Sequence, residues 1–119
     1  MEKINLKEKF SLFNDYANPK VVGELNGHQV KLVKLKGPFI WHYHENEDEL
    51  FYVAKGNFNM EFRDKIITIN EGEFIIVPRG VEHRPNAQEE CEIMLFEPIT
   101  TLNTGNIHNE RTVKNLEKI

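Results

Sequence analysis

The chain has 119 residues and a mass of 14.0 kDa, a size that one hydrophobic core serves, so we expect one domain. Its net charge is −4 and its Lys and Arg residues form no cluster, which argues against nucleic acid as a partner. No apolar run approaches the roughly 20 residues that cross a bilayer, and the N-terminus is charged where a signal peptide is apolar. We therefore expect a cytoplasmic protein without a membrane partner.

Short strands separated by turns are the main predicted elements. The hydrophobic pattern predicts them at 21–25, 28–36, 39–44, 49–54, 58–62, 66–69, 74–77, 81–86 and 91–97. Asn26 and Gly27 tolerate the positive φ of a type I′ hairpin turn. The alternation changes face near Leu32 and Val33, which indicates a bulge or a strand buried on both sides. About nine strands at regular spacing are typical of an all-β barrel or sandwich.

The two ends of the chain carry weaker patterns. Apolar residues at helical spacing predict short helices over 6–13 and 111–119. The segment 100–109 is polar and rich in Asn, Thr and Gly, so we expect a loop that packs over the barrel. The single cysteine, Cys91, lies in an apolar run and is predicted to be a small core residue. A reactive thiol at this position would need a nearby base that the sequence does not reveal.

Three histidines and a glutamate are the candidate metal-binding residues of the chain. His42 and His44 lie two residues apart on a predicted strand, so their side chains point to the same face. A hairpin brings Glu49, at the start of the next predicted strand, beside this pair, and His83 follows a tight turn. Such a donor set suits Fe(II), Ni(II), Zn(II), Mn(II) or Cu(II). The alternative is that hydrogen bonds satisfy the buried imidazoles. No further carboxylate is predicted to face inward.

Two blocks of residue types stand at set spacings in the middle of the chain. They are His42-x-His44-x4-Glu49-x6-Gly56 and Gly72-x5-Pro78-x-Gly80-x2-His83-x2-Asn86. Both blocks resemble the two motifs of the cupin superfamily. Only 15 residues, 57–71, separate them, and in this respect the chain resembles compact single-domain bacterial cupins (Cupin_2-like) of unassigned activity.

The resemblance implies a fold and a metal site. It implies a cupin-type double-stranded β-helix, or jelly-roll barrel, with short flanking N- and C-terminal segments. We expect one cupin domain over 1–119, with a barrel core at about 20–98 and the tail 99–119 packing on the barrel. It also implies that His42, His44, Glu49 and His83 hold one divalent transition metal, which we expect to be Fe, Ni, Zn or Mn.

Strand alternation also predicts the surroundings of the metal. Ile40, Phe51 and Val53 share the metal-facing side and are expected to line the pocket, together with Arg79 from the turn before His83. Trp41 and Tyr43 point the other way. Their two interpretations are packing against a neighbouring strand and an aromatic dimer interface. Because small cupins often pair through this kind of surface, the resemblance favours a homodimer.

Three functions are compatible with such a site. The resemblance implies a metalloenzyme of the isomerase or dioxygenase type that acts on a small polar, sugar-like or hydroxy-carbonyl molecule. In this interpretation the metal, through an open coordination position, is the Lewis acid. Glu49 is a candidate catalytic proton acceptor. The alternative is a non-catalytic, metal-dependent module that binds or senses a small molecule. The third is a structural metal, which usually has four ligands in tetrahedral geometry.

Overall fold

The computed structural model describes residues 1–119, and its regular secondary structure is almost entirely β-strand. Its elements in chain order are α1 (Leu6–Phe10), β1 (Lys20–Leu25), β2 (His28–Pro38), β3 (Glu49–Lys55), β4 (Asn57–Phe62), β5 (Ile66–Asn70), β6 (Phe74–Val77), β7 (His83–Pro98) and β8 (Glu117–Lys118). The predicted all-β class is therefore confirmed. None of these elements is a helix with the length and hydropathy needed to cross a membrane.

The longest strand, β7, organises the sheet. It runs antiparallel to β2 along nearly its whole length, while its residues 83–86 pair with β4 and its residues 92–96 pair with β3. β4 continues to β5, β3 continues to β6, and β2 continues to β1 and β8. Because β3 and β4 pair with different parts of one strand, the sheet folds over and closes around its core.

The core comes from the inward faces of six strands. Its twelve buried members are Val33, Leu35, Phe51, Val53, Phe58, Met60, Ile69, Val77, Ala87, Cys91, Ile93 and Leu95. A smaller cluster, Phe10, Phe13 and Leu32, covers the outer face of β2. β2 is therefore buried on both sides, which is the physical reason for the change of face that the sequence shows near Leu32 and Val33.

The hairpin between β1 and β2 follows the prediction. Asn26 has φ +48° and Gly27 has φ +76°, as a type I′ turn requires. The two predicted strands at 81–86 and 91–97 are one continuous strand instead. The polar residues between them stay in the extended conformation because β2 pairs with β7 both before and after this segment. Gly37 lies opposite Ala87, and Leu35 lies opposite Cys91.

Three local predictions are wrong. The segment 39–44 is not a strand, since only His42 makes an isolated bridge, to His83. The predicted helix over 111–119 is absent, and Glu117–Lys118 instead pairs in parallel with β1. The N-terminal helix ends at Phe10 rather than at 13. In each case the pairing or packing with a distant part of the chain outweighs a weak local pattern.

Candidate metal centre

Four buried side chains converge at one end of the barrel. They are His42, His44, Glu49 and His83, and their potential ligand atoms all lie within 4.8 Å of one another. Glu49 is the first residue of β3 and His83 is the first residue of β7. His42 and His44 come from the irregular segment between β2 and β3. The structure thus brings together all four residues for which the sequence predicts metal ligation.

The backbone holds two of these histidines face to face. The His42 N–H donates to the His83 carbonyl at 3.1 Å, and the His83 N–H donates to the His42 carbonyl at 2.9 Å. This reciprocal pair places the two imidazole ring centroids 4.4 Å apart. A single bridge therefore does the positioning for which we expected a full strand over 39–44.

The same two rings are oriented by carbonyl oxygens. His42 Nδ1 lies 2.8 Å from the carbonyl oxygen of Ile40, and His83 Nδ1 lies 2.8 Å from that of Val81. A carbonyl oxygen only accepts, so each Nδ1 carries the hydrogen and each Nε2 keeps its lone pair. This second contact of the ring is the usual arrangement for an imidazole that binds a metal through its other nitrogen.

The facing atoms lack hydrogen-bond partners. Glu49 Oε1 lies 2.8 Å from His44 Nε2 and 3.3 Å from His83 Nε2. Despite these short distances, neither nitrogen nor the oxygen has a partner with hydrogen-bond geometry, and His44 Nδ1 has none either. Buried polar atoms without partners are costly. A divalent cation bound among three imidazoles and a carboxylate would satisfy one nitrogen of each ring and the Glu49 oxygen, so the residues fit the metal that the motif implies.

The protonation states also suit a metal. Burial, followed by the neighbouring His83, lowers the pKa of His42 to about 4, so this imidazole is neutral at pH 7. Burial acts to raise the pKa of Glu49, but the close approach of the Glu97, His44 and His83 side chains outweighs it and holds the pKa well below its usual range. Metal ligands must be deprotonated to bind. A neutral His42 beside an ionised Glu49 meets this requirement.

A small cavity adjoins Glu49. Its volume is about 50 Å³. Apolar side chains form most of its wall, among them Val33, Leu35, Phe39, Phe51 and Leu95. One end is polar, where Lys31, Glu49 and Glu97 meet. The cavity therefore offers a ligand an apolar lining and, beside Glu49, a hydrogen-bonding end.

Of the four predicted pocket residues, one lines this cavity. Phe51 does, since it stands on the inward face of β3. Val53 is fully buried two residues further along, within the apolar core. Ile40 contributes its carbonyl oxygen, which accepts a hydrogen bond from His42 Nδ1. The Arg79 side chain is 65% exposed and lies 3.5 Å from Asp48. Because Arg79 extends from a surface turn towards that carboxylate, it does not reach the cavity.

Sequence reasoning missed the polar end of the cavity. Lys31 Nζ and Glu97 Oε1 are 2.7 Å apart, and both side chains are almost completely buried. The expectation that no further carboxylate faces inward is therefore wrong. The signal was present in the alternation, because Glu97 follows Ile93 and Leu95 on one face of β7 and Lys31 precedes Val33 on one face of β2.

The C-terminal tail also reaches the centre. Gly105 has φ +56°, and a Cβ at this position would lie 2.2 Å from the Tyr43 carbonyl oxygen and 3.1 Å from the His42 ring. Only a residue without a side chain permits this approach. In the sequence, this glycine lies in a polar segment where it is indistinguishable from an ordinary turn residue.

The outward-facing aromatic residues have different surroundings. The Arg63 guanidinium lies 3.8 Å from the centre of the Trp41 ring, so Trp41 packs against the turn between β4 and β5. Tyr43 is more than one third exposed. Packing against a neighbouring strand region therefore accounts for Trp41, and Tyr43 keeps an accessible face.

Comparison with known proteins identifies the relatives of this chain. Residues 31–97 match the family described as Cupin_2: Cupin domain. A solved cupin-2 domain containing protein from Shewanella frigidimarina is 50% identical, with a TM-score of 0.79 over 80% of this chain and 93% of that one. The uncharacterized protein YdbB of Bacillus subtilis is 32% identical over 66% of this chain and 65% of its own length.

A third relative carries an activity in its name. The 3-hydroxyanthranilate 3,4-dioxygenase of Xenopus tropicalis is 28% identical over 102 residues, which are 79% of this chain and 36% of that protein. This chain thus spans just under two thirds of the Bacillus protein and about a third of the Xenopus enzyme.

Proposed function

This chain belongs to the cupin domain family, and from that membership we propose that it is a divalent-metal protein acting on a small polar molecule. The metal would be held by His42, His44, Glu49 and His83. One observation carries the proposal. These four buried residues direct ligand atoms to within 4.8 Å of one another, and most of the facing atoms have no other partner. Iron, nickel, zinc and manganese all suit this donor set.

The proposed activity is that of an isomerase- or dioxygenase-type metalloenzyme. A divalent metal bound here would supply a Lewis acid that polarises an oxygen of the ligand. The three histidines would hold the metal. Glu49 is both a proposed ligand and the candidate proton acceptor. Phe39 and Phe51 belong to the apolar wall of the adjoining cavity and would disfavour water beside a bound ligand. The name of the Xenopus relative supports the dioxygenase type, and the polar end supports a sugar-like or hydroxy-carbonyl ligand.

A second candidate function is a binding or sensing module without turnover. The cavity is small for either candidate. A volume of about 50 Å³ is well below the roughly 300–1,000 Å³ of pockets that hold a whole drug-sized ligand. Only a small group of a ligand fits beside Glu49 in this conformation. Turnover of a metal-loaded sample separates this candidate from the enzyme.

Metal content tests the proposal. We expect elemental mass spectrometry of the untagged protein to find about one equivalent of a divalent transition metal. The His42→Ala, His83→Ala double variant should lose it, while His108→Ala, at an exposed position of the tail, should retain it. No metal after reloading with iron, nickel, zinc and manganese in turn would overturn the proposal. Equal metal in the double variant would overturn the ligand assignment.

Activity is the second part of this test. The metal-loaded protein is incubated in air with 3-hydroxyanthranilate while oxygen consumption is followed. A parallel panel of small hydroxy-aldehydes and hydroxy-ketones in D₂O is followed by NMR for isomerisation and solvent exchange. Turnover that the double variant lacks supports the enzyme. Metal-dependent binding of a panel member without turnover supports the binding module instead.

A homodimer and a cytoplasmic location remain predictions. Tyr43 keeps an exposed face, and Phe74 and Ile76 on β6 are also more than half exposed. Aromatic and apolar side chains of this kind are enriched at interface centres. We expect light scattering to give the mass of two chains, and a monomer at all concentrations tested would contradict this.

A further inference from the structure

The cavity beside Glu49 is too small to hold a whole ligand. Each of the four candidate metal ligands is at most 4% exposed, and the adjoining cavity has a volume of about 50 Å³. Pockets that enclose small molecules measure roughly 300–1,000 Å³. A ligand that reaches Glu49 must therefore place most of its atoms outside this cavity.

An outer groove shares a wall with this cavity. The groove has a volume of about 430 Å³, and its lining includes Tyr16, Ala17, Leu35, Lys36, Phe39 and Arg111. Three of these residues, Ala17, Leu35 and Phe39, also line the cavity. The outer groove therefore has the size that the cavity lacks and lies directly beside it.

Phe39 connects the outer groove with a candidate metal ligand. Its ring centroid lies 5.4 Å from that of His42, with the two rings almost perpendicular. The Arg111 guanidinium lies 5.9 Å from the centroid of the same Phe39 ring. Phe39 follows the end of β2, and its side chain is only partly buried. A single aromatic ring thus lies next to both His42 and a cation of the groove.

The outer groove carries unpaired positive charge. Neither Lys36 nor Arg111 forms an ion pair with a carboxylate of this chain. The Arg111 guanidinium has one long contact, 3.4 Å to a backbone carbonyl oxygen, so most of its five N–H donors are free. Of the two carboxylates in the groove, Asp15 is paired with Lys20 at 2.9 Å, which leaves Glu110. Two unpaired cations and one unpaired carboxylate favour an anionic ligand.

The backbone of Arg111 is held in place while its side chain stays free. Its N–H donates to Asn109 Oδ1 at 2.8 Å, and its carbonyl oxygen accepts from Asn103 Nδ2 at 2.8 Å. A guanidinium matches a carboxylate with two parallel hydrogen bonds. The rings of Tyr16 and Phe39 add flat apolar surface to the same groove. This combination suits a carboxylate attached to a flat apolar body.

We propose that the outer groove binds a small ligand with a carboxylate on a flat apolar body, that Arg111 and Lys36 recognise the carboxylate, and that the other end of the ligand extends past Phe39 toward the metal centre. The last part rests on the proposed metal function. Recognition of the carboxylate in the groove does not need the metal.

The first test compares benzoate with its neutral isostere benzamide by NMR titration of the ¹⁵N-labelled, metal-free protein. Benzoate should bind about 3–10-fold more tightly than benzamide, because charge-assisted hydrogen bonds at a partly exposed site contribute modestly. Arg111→Gln should bring this ratio close to one. The matched control is Arg79→Gln, since Arg79 is 65% exposed, lies 3.5 Å from Asp48 and is outside the groove. This variant should keep the wild-type ratio.

The second test locates benzoate relative to the metal centre. Co²⁺ shifts the NMR signals of nearby protons through its unpaired electrons, and Zn²⁺ gives the reference without them. The benzoate ring signals should shift with the Co²⁺-loaded protein but not with the Zn²⁺-loaded protein, and Arg111→Gln should abolish the shift.

The outcomes separate this inference from the metal proposal. Equal affinities for benzoate and benzamide, or an unchanged ratio in Arg111→Gln, would overturn the carboxylate site. Identical benzoate signals with the two metals would overturn its connection with the metal centre. Absence of Co²⁺ binding by the wild type would overturn the metal proposal, whereas the affinity ratio of the metal-free protein would still decide the carboxylate site.

Discussion

Asn106 and Tyr43 are joined by two reciprocal hydrogen bonds. The Tyr43 N–H donates to Asn106 Oδ1 at 2.9 Å, and the Asn106 N–H donates to the Tyr43 carbonyl at 3.0 Å. Tyr43 stands between His42 and His44, in a segment without regular strand pairing. The C-terminal tail therefore provides the pairing that a neighbouring strand would otherwise give. Two of the four candidate ligands depend on a part of the chain some 60 residues away.

We expect Asn106→Ala to loosen the histidine segment. The substitution removes the acceptor of the Tyr43 N–H, and the loss of one such hydrogen bond lowers the free energy of unfolding by about 0.5–1.5 kcal/mol. Co²⁺ affinity should fall because His42 and His44 are held less firmly. Urea unfolding and Co²⁺ titration measure the two effects. Asn115→Ala, an exposed tail residue outside these contacts, is the control. Unchanged metal affinity in Asn106→Ala would contradict the role of the tail.

Gly105→Ala should be more harmful than an equivalent change at Gly27. Both glycines have positive φ, +56° and +76°, but only at Gly105 would a Cβ collide with the backbone of Tyr43. Gly27→Ala should cost about 1–2 kcal/mol, which is the strain of a left-handed backbone. Gly105→Ala adds the collision to the same strain. Urea unfolding compares the two variants. Equal losses of stability would contradict an added cost of the collision at Gly105.

The metal-free protein should lose stability as the pH falls. The pKa of His42 is about 4 in the folded protein, below the 6.5 of an unperturbed histidine. In this range His42 binds a proton in the unfolded chain but not in the folded protein. The free energy of unfolding therefore declines as the pH falls from about 6.5 to 4. The limit of this contribution is about 3 kcal/mol. Urea unfolding across this window should show a shallower decline in His42→Gln, but not in the exposed control His108→Gln.

Cys91 should be chemically inert in the folded protein. It is completely buried, and burial, with a smaller effect of the Glu92 charge, raises the pKa of its thiol to about 12. Reactive thiols require the thiolate and access to the reagent. We expect no reaction with Ellman's reagent until the protein unfolds, whereas a Ser11→Cys variant should react at once because Ser11 is exposed. Prompt labelling of native wild-type protein would contradict the burial of Cys91.

Local pattern predicted most of the strands because it is a property of neighbouring residues. The turn at Asn26 and Gly27 follows from their tolerance of positive φ, and the strand from Glu49 follows from alternation and β propensity. The spacing of the histidines and Glu49 likewise indicated a metal centre. The turn and the strand need only the geometry of one hairpin, whereas the metal centre was indicated by the spacing of residue types in two motifs.

Long-range pairing is responsible for what local pattern did not reveal. Residues 117–118 form a strand because β1 offers them an open edge. The segment with His42 is held by a bridge to His83 and by the tail at Gly105 and Asn106. The contact of Glu97 with Lys31 joins residues 66 apart in the chain. The sequence thus indicated the fold family and the metal-binding residue types. The closure of the barrel determined which distant residues contact and hold them, because those contacts exist only once distant strands are side by side.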